Sequence, residues 1–237
     1  MYHQQALLLD VAELDSNGQA IALQLLAGTH ISLEKYAAAI KSLKQAIVLL
    51  RELKNEESEA RVLGILGYTY SKLEEYDEAI KYYEKGIALA RKIDEIAIER
   101  DNVGNMAQAY NSKNDYDKGL HYCRISLDLS EKLGDSKGVG TDLTNIGLNY
   151  AKQGKYEEAI EYHMQALIIR VEMEDHPSQG NSCYNLACCY SLFNEKDDAL
   201  YFLQRALLLD HEEYHILATE DEDLDNIRDL PEFKELV

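Results

Sequence analysis

ARVLGILGYTYSKLEEYDEAIKYYEKGIALARKIDEIAIE, residues 60–99, decides the fold, because most of the chain repeats it at a step of forty. From Tyr76 that step reaches Tyr36, Tyr116 and Tyr156; from Tyr70 it reaches Tyr110, Tyr150 and Tyr190. Ala79 becomes Ala39, Ala159 and Ala199, with Gly119 in the remaining slot, and Leu66 becomes Leu26, Met106, Ile146 and Leu186. Self-similarity at a fixed period in this range marks a solenoid or array, in which each unit packs on its neighbours.

Inside the unit, Val62, Leu63, Leu66, Tyr70 and Leu73 fall three and four apart, which is one face of a helix. Glu74-Glu75 form a short acidic connection, and Tyr76, Ala79, Ile80, Tyr83, Ile87 and Ala90 make a second helical face. The pattern predicts two antiparallel helices joined by a tight turn. Ala27, Gly67, Ala107, Gly147 and Ala187 share one register of the first helix, and Ala79 and Gly86 sit on the facing stripe of the second. Glycine inside a helix costs about 1 kcal/mol against alanine. Its recurrence predicts closely approaching helix axes, with Tyr and Leu filling the volume beside them.

Leu66-Gly67, Tyr70, Tyr76, Ala79, Tyr83 and Gly86 resemble the tetratricopeptide repeat pattern, and the segments ending in Tyr110, Tyr150 and Tyr190 match it as well. The resemblance covers roughly 20–219, at a step longer than the usual 34 residues. It is similar to the long-helix variety of kinesin light chains, Pins-type adaptors and bacterial sensor arrays. It implies an all-α right-handed superhelix (an α-solenoid) of antiparallel helix pairs with five repeats, 20–59, 60–99, 100–139, 140–179 and 180–219. Residues 220–237 are expected to form an acidic segment and a capping helix from Pro231, with Phe233 and Leu236 folded onto the last repeat. Ala6 and Leu9 lie forty places before Ala46 and Leu49. Residues 1–19 are therefore expected to hold a leading helix and a turn, either as an N-terminal cap or as the second half of a repeat in a longer protein. Ser16-Asn17-Gly18, Gly134-Asp135 and Asp175-His176-Pro177-Ser178 read as turns.

Two prolines, no tryptophan and seventeen tyrosines suit stacked helices with aromatic packing. The start has no basic n-region, and no stretch approaches a membrane span. The expectation is a soluble, cytoplasmic protein. Residues from 140 onward carry −14 of the net −19. That balance argues against nucleic acid as a partner, since phosphate binding needs clustered Lys and Arg, and it suits a basic peptide or protein face.

The resemblance implies a non-catalytic scaffold for a protein or peptide partner, without cofactor. In this family the first helices line the concave surface. By register that surface includes Arg61, Tyr68, Lys72, Asp101, Asn105, Gln108, Asn111, Thr141, Asn145, Lys152, Asn181, Tyr184 and Asn185. Asn105, Asn145 and Asn185 recur at steps of forty, and asparagine both donates to and accepts from an extended backbone. First helices ~10 Å apart would make a groove of roughly 40 Å, room for about twelve residues of extended peptide at ~3.3 Å each. The carboxylate clamp of chaperone-binding relatives is mostly absent, its slots holding Gly64, Tyr68, Asn105, Thr141 and Asn145. An alternative is a regulatory sensor domain of a larger bacterial signalling protein.

Three further patterns carry possible chemistry. His211-Glu212-Glu213-Tyr214-His215 spells H-E-x-x-H, the zinc-hydrolase signature, here placed at the end of the fifth repeat's second helix and without a third histidine. Asp221, Asp223, Asp225 and Glu232 match a calcium-loop spacing, but Asn226 stands at its glycine position. Cys123, Cys183, Cys188 and Cys189 match no zinc spacing and read as buried packing residues. No metal site is expected from any of them.

Overall fold

The computed structural model describes residues 15–237; the leading helix expected in 1–19 lies largely outside the described residues. The described residues form helices and short connections, with no strand. Five first-position helices are α1 (Ser16–Ser32), α3 (Glu56–Lys72), α5 (Ile96–Ser112), α7 (Ser136–Lys152) and α9 (His176–Leu192). Five second-position helices are α2 (Tyr36–Glu52), α4 (Tyr76–Lys92), α6 (Tyr116–Leu133), α8 (Tyr156–Glu172) and α10 (Lys196–Leu209). Tyr36, Tyr76, Tyr116 and Tyr156 each open a second-position helix, so the four are equivalent, and Lys196 takes the same place in the fifth. The first-position helices start four residues ahead of the block limits read from the sequence, and Ser16-Asn17-Gly18 is the first turn of α1, capped by Asp15.

A shorter period lies inside the forty. The chain turns at Glu34, Lys54, Glu74, Asp94, Asn114, Gly134, Gly154, Glu174 and Asn194, every twentieth residue, each with a positive φ between 55° and 73°. The next residue's N–H reaches back five places, as in Lys35 N to His30 O (2.8 Å), Glu75 N to Tyr70 O (3.0 Å) and Asp175 N to Arg170 O (3.0 Å). This is the Schellman closure, which satisfies carbonyls that a helix end leaves open. Three-residue connections therefore separate seventeen-residue helices, except that α6 runs one residue longer and α10 is shorter, and at Asn55, Asp135 and Asp175 the residue closing one helix also caps the next.

The backbone falls into two compact units that divide at Leu129/Ser130, within α6. In the first unit, α1 packs on α2, α3 on α4, and α4 on α5. Its core holds Leu43, Leu50, Leu66, Tyr83 and Met106. Gly67 lies under the ring of Tyr83: a β-carbon there would stand 2.6 Å from Cε1. Gly86 makes its close contact elsewhere than expected. It faces Asn102 of the following hairpin, 2.8 Å from Oδ1 to a notional β-carbon, and Gly64 faces the same side chain.

In the second unit α7, α8, α9 and α10 pack in succession. Gly147 lies against His163, the residue forty beyond Cys123 and eighty beyond Tyr83. Arg170 is buried; its guanidinium donates to Ser182 Oγ (2.5 Å), Ser178 O (3.1 Å) and Gly140 O (3.4 Å), joining three helices. One stacked ring pair recurs in each hairpin from the second to the fifth: Tyr70–Tyr82, Tyr110–Tyr122, Tyr150–Tyr162 and Tyr190–Phe202, with centroids 5.3–5.5 Å apart. Such pairs add about 0.5–1.5 kcal/mol each beyond their area.

The C-terminal segment caps the second unit. After α10, Asp210 is extended and opens a separate helix, α11 (His211–Glu220). A 3-10 turn (Glu222–Leu224), α12 (Asp225–Arg228) and α13 (Pro231–Leu236) follow. Leu224, Ile227 and Phe233 are buried in the same core as Leu186 and Leu203, which closes the apolar end of the last hairpin. Arg228 closes α11, donating to Ala218 O, Thr219 O and Asp221 O, while Asn226 Nδ2 donates to Ser191 O of α9 (2.9 Å).

Candidate functional site

Along α1, α3, α5 and α7 a largely open stripe runs at spacing 0, 4, 7 and 11, whereas on α9 its third member, Cys188, is buried. On α3 that stripe is Arg61, Ile65, Tyr68 and Lys72; on α5 it is Asp101, Asn105, Gln108 and Ser112. Between them runs a cleft of about 310 Å³ lined by Arg61, Gly64, Ile65, Tyr68, Ile98, Asp101, Asn102 and Asn105. A second hollow of about 250 Å³ continues along the same two helices past Tyr68, Lys72, Asn105 and Gln108. The first unit thus gathers six of the residues placed by register: Arg61, Tyr68, Lys72, Asp101, Asn105 and Gln108.

The chemistry of this cleft is an apolar trough with a polar rim. Ile65 and Ile98 supply apolar wall, and the half-exposed ring of Tyr68 carries the Lys72 ammonium 5.3 Å from its centroid. Arg61 pairs with Glu57 (2.8 Å) and Asp101 with Arg100 (3.1 Å), so both charges are held at the rim. Asn102 forms part of the floor, its Nδ2 donating to Ile98 O at 2.8 Å. Ile65 occupies the slot of Asn105, and the sequence signal for it was that shared register. Gly64 was legible only as a clamp slot, and Ile98 and Asn102 carry no such signal, since they face the floor only because α3 and α5 touch there.

The remaining register positions divide. Asn105 and Asn145 make no side-chain hydrogen bond within the chain among the described residues. Asn185 donates to Asn181 Oδ1 at 3.2 Å, so these two amides engage one another. Thr141 bonds back to Lys137 O (3.0 Å), and Asn111 sits half-buried. Tyr184 departs from its expected place on an open surface. The residue is 7% exposed, its ring stacks on Tyr214 (5.5 Å) and its hydroxyl donates to Asp221 Oδ2 (2.9 Å), because it stands in the slot of Gly64, a floor position, and the cap covers it there. Lys152, Tyr184 and Asn185 instead line a cavity of about 280 Å³ in the second unit, with His163, Cys188, Cys189, Asp221 and Asp223.

The H-E-x-x-H residues lie elsewhere from the reading above: they open α11 rather than ending α10, because Asp210 breaks the helix and caps Glu213 N (3.0 Å). The rings of His211 and His215 stack at 5.5 Å, and His211 and Glu212 are exposed to solvent. Of the calcium-loop residues, Asp225 is paired with Arg228 (2.8 Å) at the start of α12, and Asp221 caps Asp223 N (3.0 Å). All four cysteines are buried, and none is in a disulfide.

The family model described as Tetratricopeptide repeat matches residues 18–92, 101–170 and 143–209. The chain belongs to the tetratricopeptide repeat family. Among solved structures it is similar to the nearly identical repeats of a putative kinesin light chain from Podosopora anserina, at 18% identity and TM-score 0.69, covering 82% of this chain and 96% of that one. It is similar to the Rap conjugation gene regulator of plasmid pLS20, solved in complex with the Phr* peptide, at 18% identity and TM-score 0.67, covering 90% of this chain and 62% of that one. It is also similar to a signal transduction ATPase with a tetratricopeptide repeat sensor from Pyrococcus horikoshii, at 21% identity and TM-score 0.74, covering 83% of this chain and 30% of that one. A search of the curated proteins found no match. Among the described residues, no helix is long and apolar enough to cross a membrane.

Proposed function

We propose that the protein is a non-catalytic interaction module that holds a peptide or helix of a protein partner on the open stripes of its first-position helices. The observation that carries this is the α3–α5 cleft, where apolar walls meet Tyr68 and the unengaged amide of Asn105. An apolar side chain fills the trough while Asn105 and Gln108 bond the partner's backbone, which gives holding tolerant of sequence. The acidic balance of the second half favours a basic partner segment. The similarity to a Rap protein solved with a peptide supports the peptide reading. Panning a peptide library against the protein, then titrating the selected peptide into Tyr68→Ala and Asn105→Ala variants, tests it. Binding weakened by about tenfold or more in each, with helicity unchanged, is the expected result; equal affinity in both rejects the cleft.

A second reading, a sensor domain regulating an attached output, is favoured by the likeness to the repeat sensor of the signal transduction ATPase. It requires that the selected peptide alter the activity or assembly of whatever domain accompanies this chain in its native protein.

A further inference from the structure

The second unit holds a cluster of metal-ligating side chains away from the α3–α5 cleft. Cys188 on α9 and Asp221 and Asp223 after α11 place one sulfur and two carboxylate oxygens within 4.8 Å of one another. Cys188 Sγ lies 3.6 Å from Asp221 Oδ2, which also accepts the Tyr184 hydroxyl. The three donors are buried or half-buried and line the cavity of about 280 Å³. Independently, the wall of that cavity includes His163, whose imidazole is fully shielded and has no hydrogen-bond partner at either ring nitrogen. A buried polar group without a partner carries a free-energy cost, and two carboxylates side by side in a half-buried place repel. Lys152 lines the same cavity.

We infer that Cys188, Asp221 and Asp223 bind a divalent cation of the zinc class. Thiolate together with carboxylate is a donor set for a borderline-soft ion, and calcium and magnesium take oxygen alone. Four tetrahedral ligands at about 2.0–2.3 Å from an ion stand closer together than the limit these atoms already meet, so small side-chain rotations close the set. The ion displaces the thiol proton, and its two positive charges against one thiolate and two carboxylates leave a single negative charge in this Lys152-lined cavity. The Tyr184 hydroxyl holds Asp221 in place as an outer partner of the kind that orients metal ligands. A water completing the ion's shell inside the cavity supplies His163 with the donor it lacks. The ion links the last hairpin to the capping segment, since Cys188 belongs to the one and the aspartates to the other.

The test uses the whole chain freed of metal with a chelator, with Co²⁺ as the spectroscopic probe and Zn²⁺ as competitor. One equivalent of Co²⁺ is expected to produce a thiolate-to-cobalt charge-transfer band that Zn²⁺ abolishes, and Zn²⁺ is expected to raise the melting temperature. Cys188→Ser retains a hydroxyl for Asp221, and is expected to lose the band and, since it removes a direct ligand, to weaken Zn²⁺ by at least the ~100-fold that marks the upper end for outer-shell losses. Asp223→Asn is expected to weaken Zn²⁺ at least tenfold with helicity unchanged. Cys189→Ser and the double variant His211→Ala/His215→Ala are expected to keep both the band and the affinity. Absence of the band in the unaltered protein, or its survival in Cys188→Ser, overturns the assignment.

Discussion

The ring of Tyr83 rests on Gly67, so close that a β-carbon at Gly67 would stand 2.6–3.0 Å from three ring atoms. The glycine lets α3 and α4 approach and lets a large aromatic fill the hairpin's centre. Gly67→Ala is therefore expected to destabilise by about 1–3 kcal/mol despite its better helix propensity. Gly28 in α1 has nothing within 4 Å of a notional β-carbon, so Gly28→Ala is expected to stabilise by up to about 1 kcal/mol. Urea unfolding of the two variants should move the midpoint in opposite directions.

Gly154 turns between α7 and α8 with φ 73° and open space around it. Gly154→Ala is expected to cost about 1 kcal/mol, from backbone strain alone. Glu74 occupies the corresponding left-handed turn between α3 and α4 with φ 61°. Glu74→Gly is expected to raise or leave unchanged the unfolding midpoint, since the strain that glycine removes matches or exceeds the cost of the unfolded-state entropy it adds.

Burial, and secondarily the charge of Arg170, lower the His163 pKa to about 4 from 6.5. The unfolded chain thus takes up this proton before the folded one does. Stability from this group is complete above pH 6.5 and is lost as the pH falls towards 4, by up to about 3 kcal/mol. His163→Leu, with the residue type found forty places on at Leu203, should flatten that part of the stability–pH curve. Urea midpoints between pH 7.5 and 4.5, with chelator present, measure the difference.

Arg51–Glu59 and Arg91–Glu99 are the same bond forty residues apart, both at 2.6 Å, each joining one hairpin to the next. Both arginines are more than half exposed, so Arg91→Ala is expected to cost under about 1 kcal/mol. That cost should fall towards zero in 1 M salt, where screening acts within ~3 Å. Thermal melts at low and high salt compare the two.

The forty-residue step was legible because Tyr36, Tyr76, Tyr116 and Tyr156 keep one residue type in one place. The twenty-residue step was not, because its turns use Glu, Lys, Asp and Asn at seven places and glycine at only two. Backbone geometry there is shared while side-chain identity is not. Register placed Arg61, Tyr68, Asp101 and Asn105 around one cleft, because α3 and α5 keep the same neighbours. Tyr184 is covered because it shares the slot of Gly64, a buried floor position, with the cap as its covering element. The role of Gly86 was legible only as closeness. Which side chain approached it, Asn102, depended on a contact between hairpins that no periodicity encodes.

Turning in the same left-handed step every twentieth residue has a genetic consequence. A cut at any of these bends and another forty residues later removes a whole hairpin and rejoins chain ends of the same local geometry. Shortening or duplication in multiples of forty therefore keeps every remaining helix in phase, whereas a change of twenty would bring two helices of the same kind together and present the wrong faces to each other.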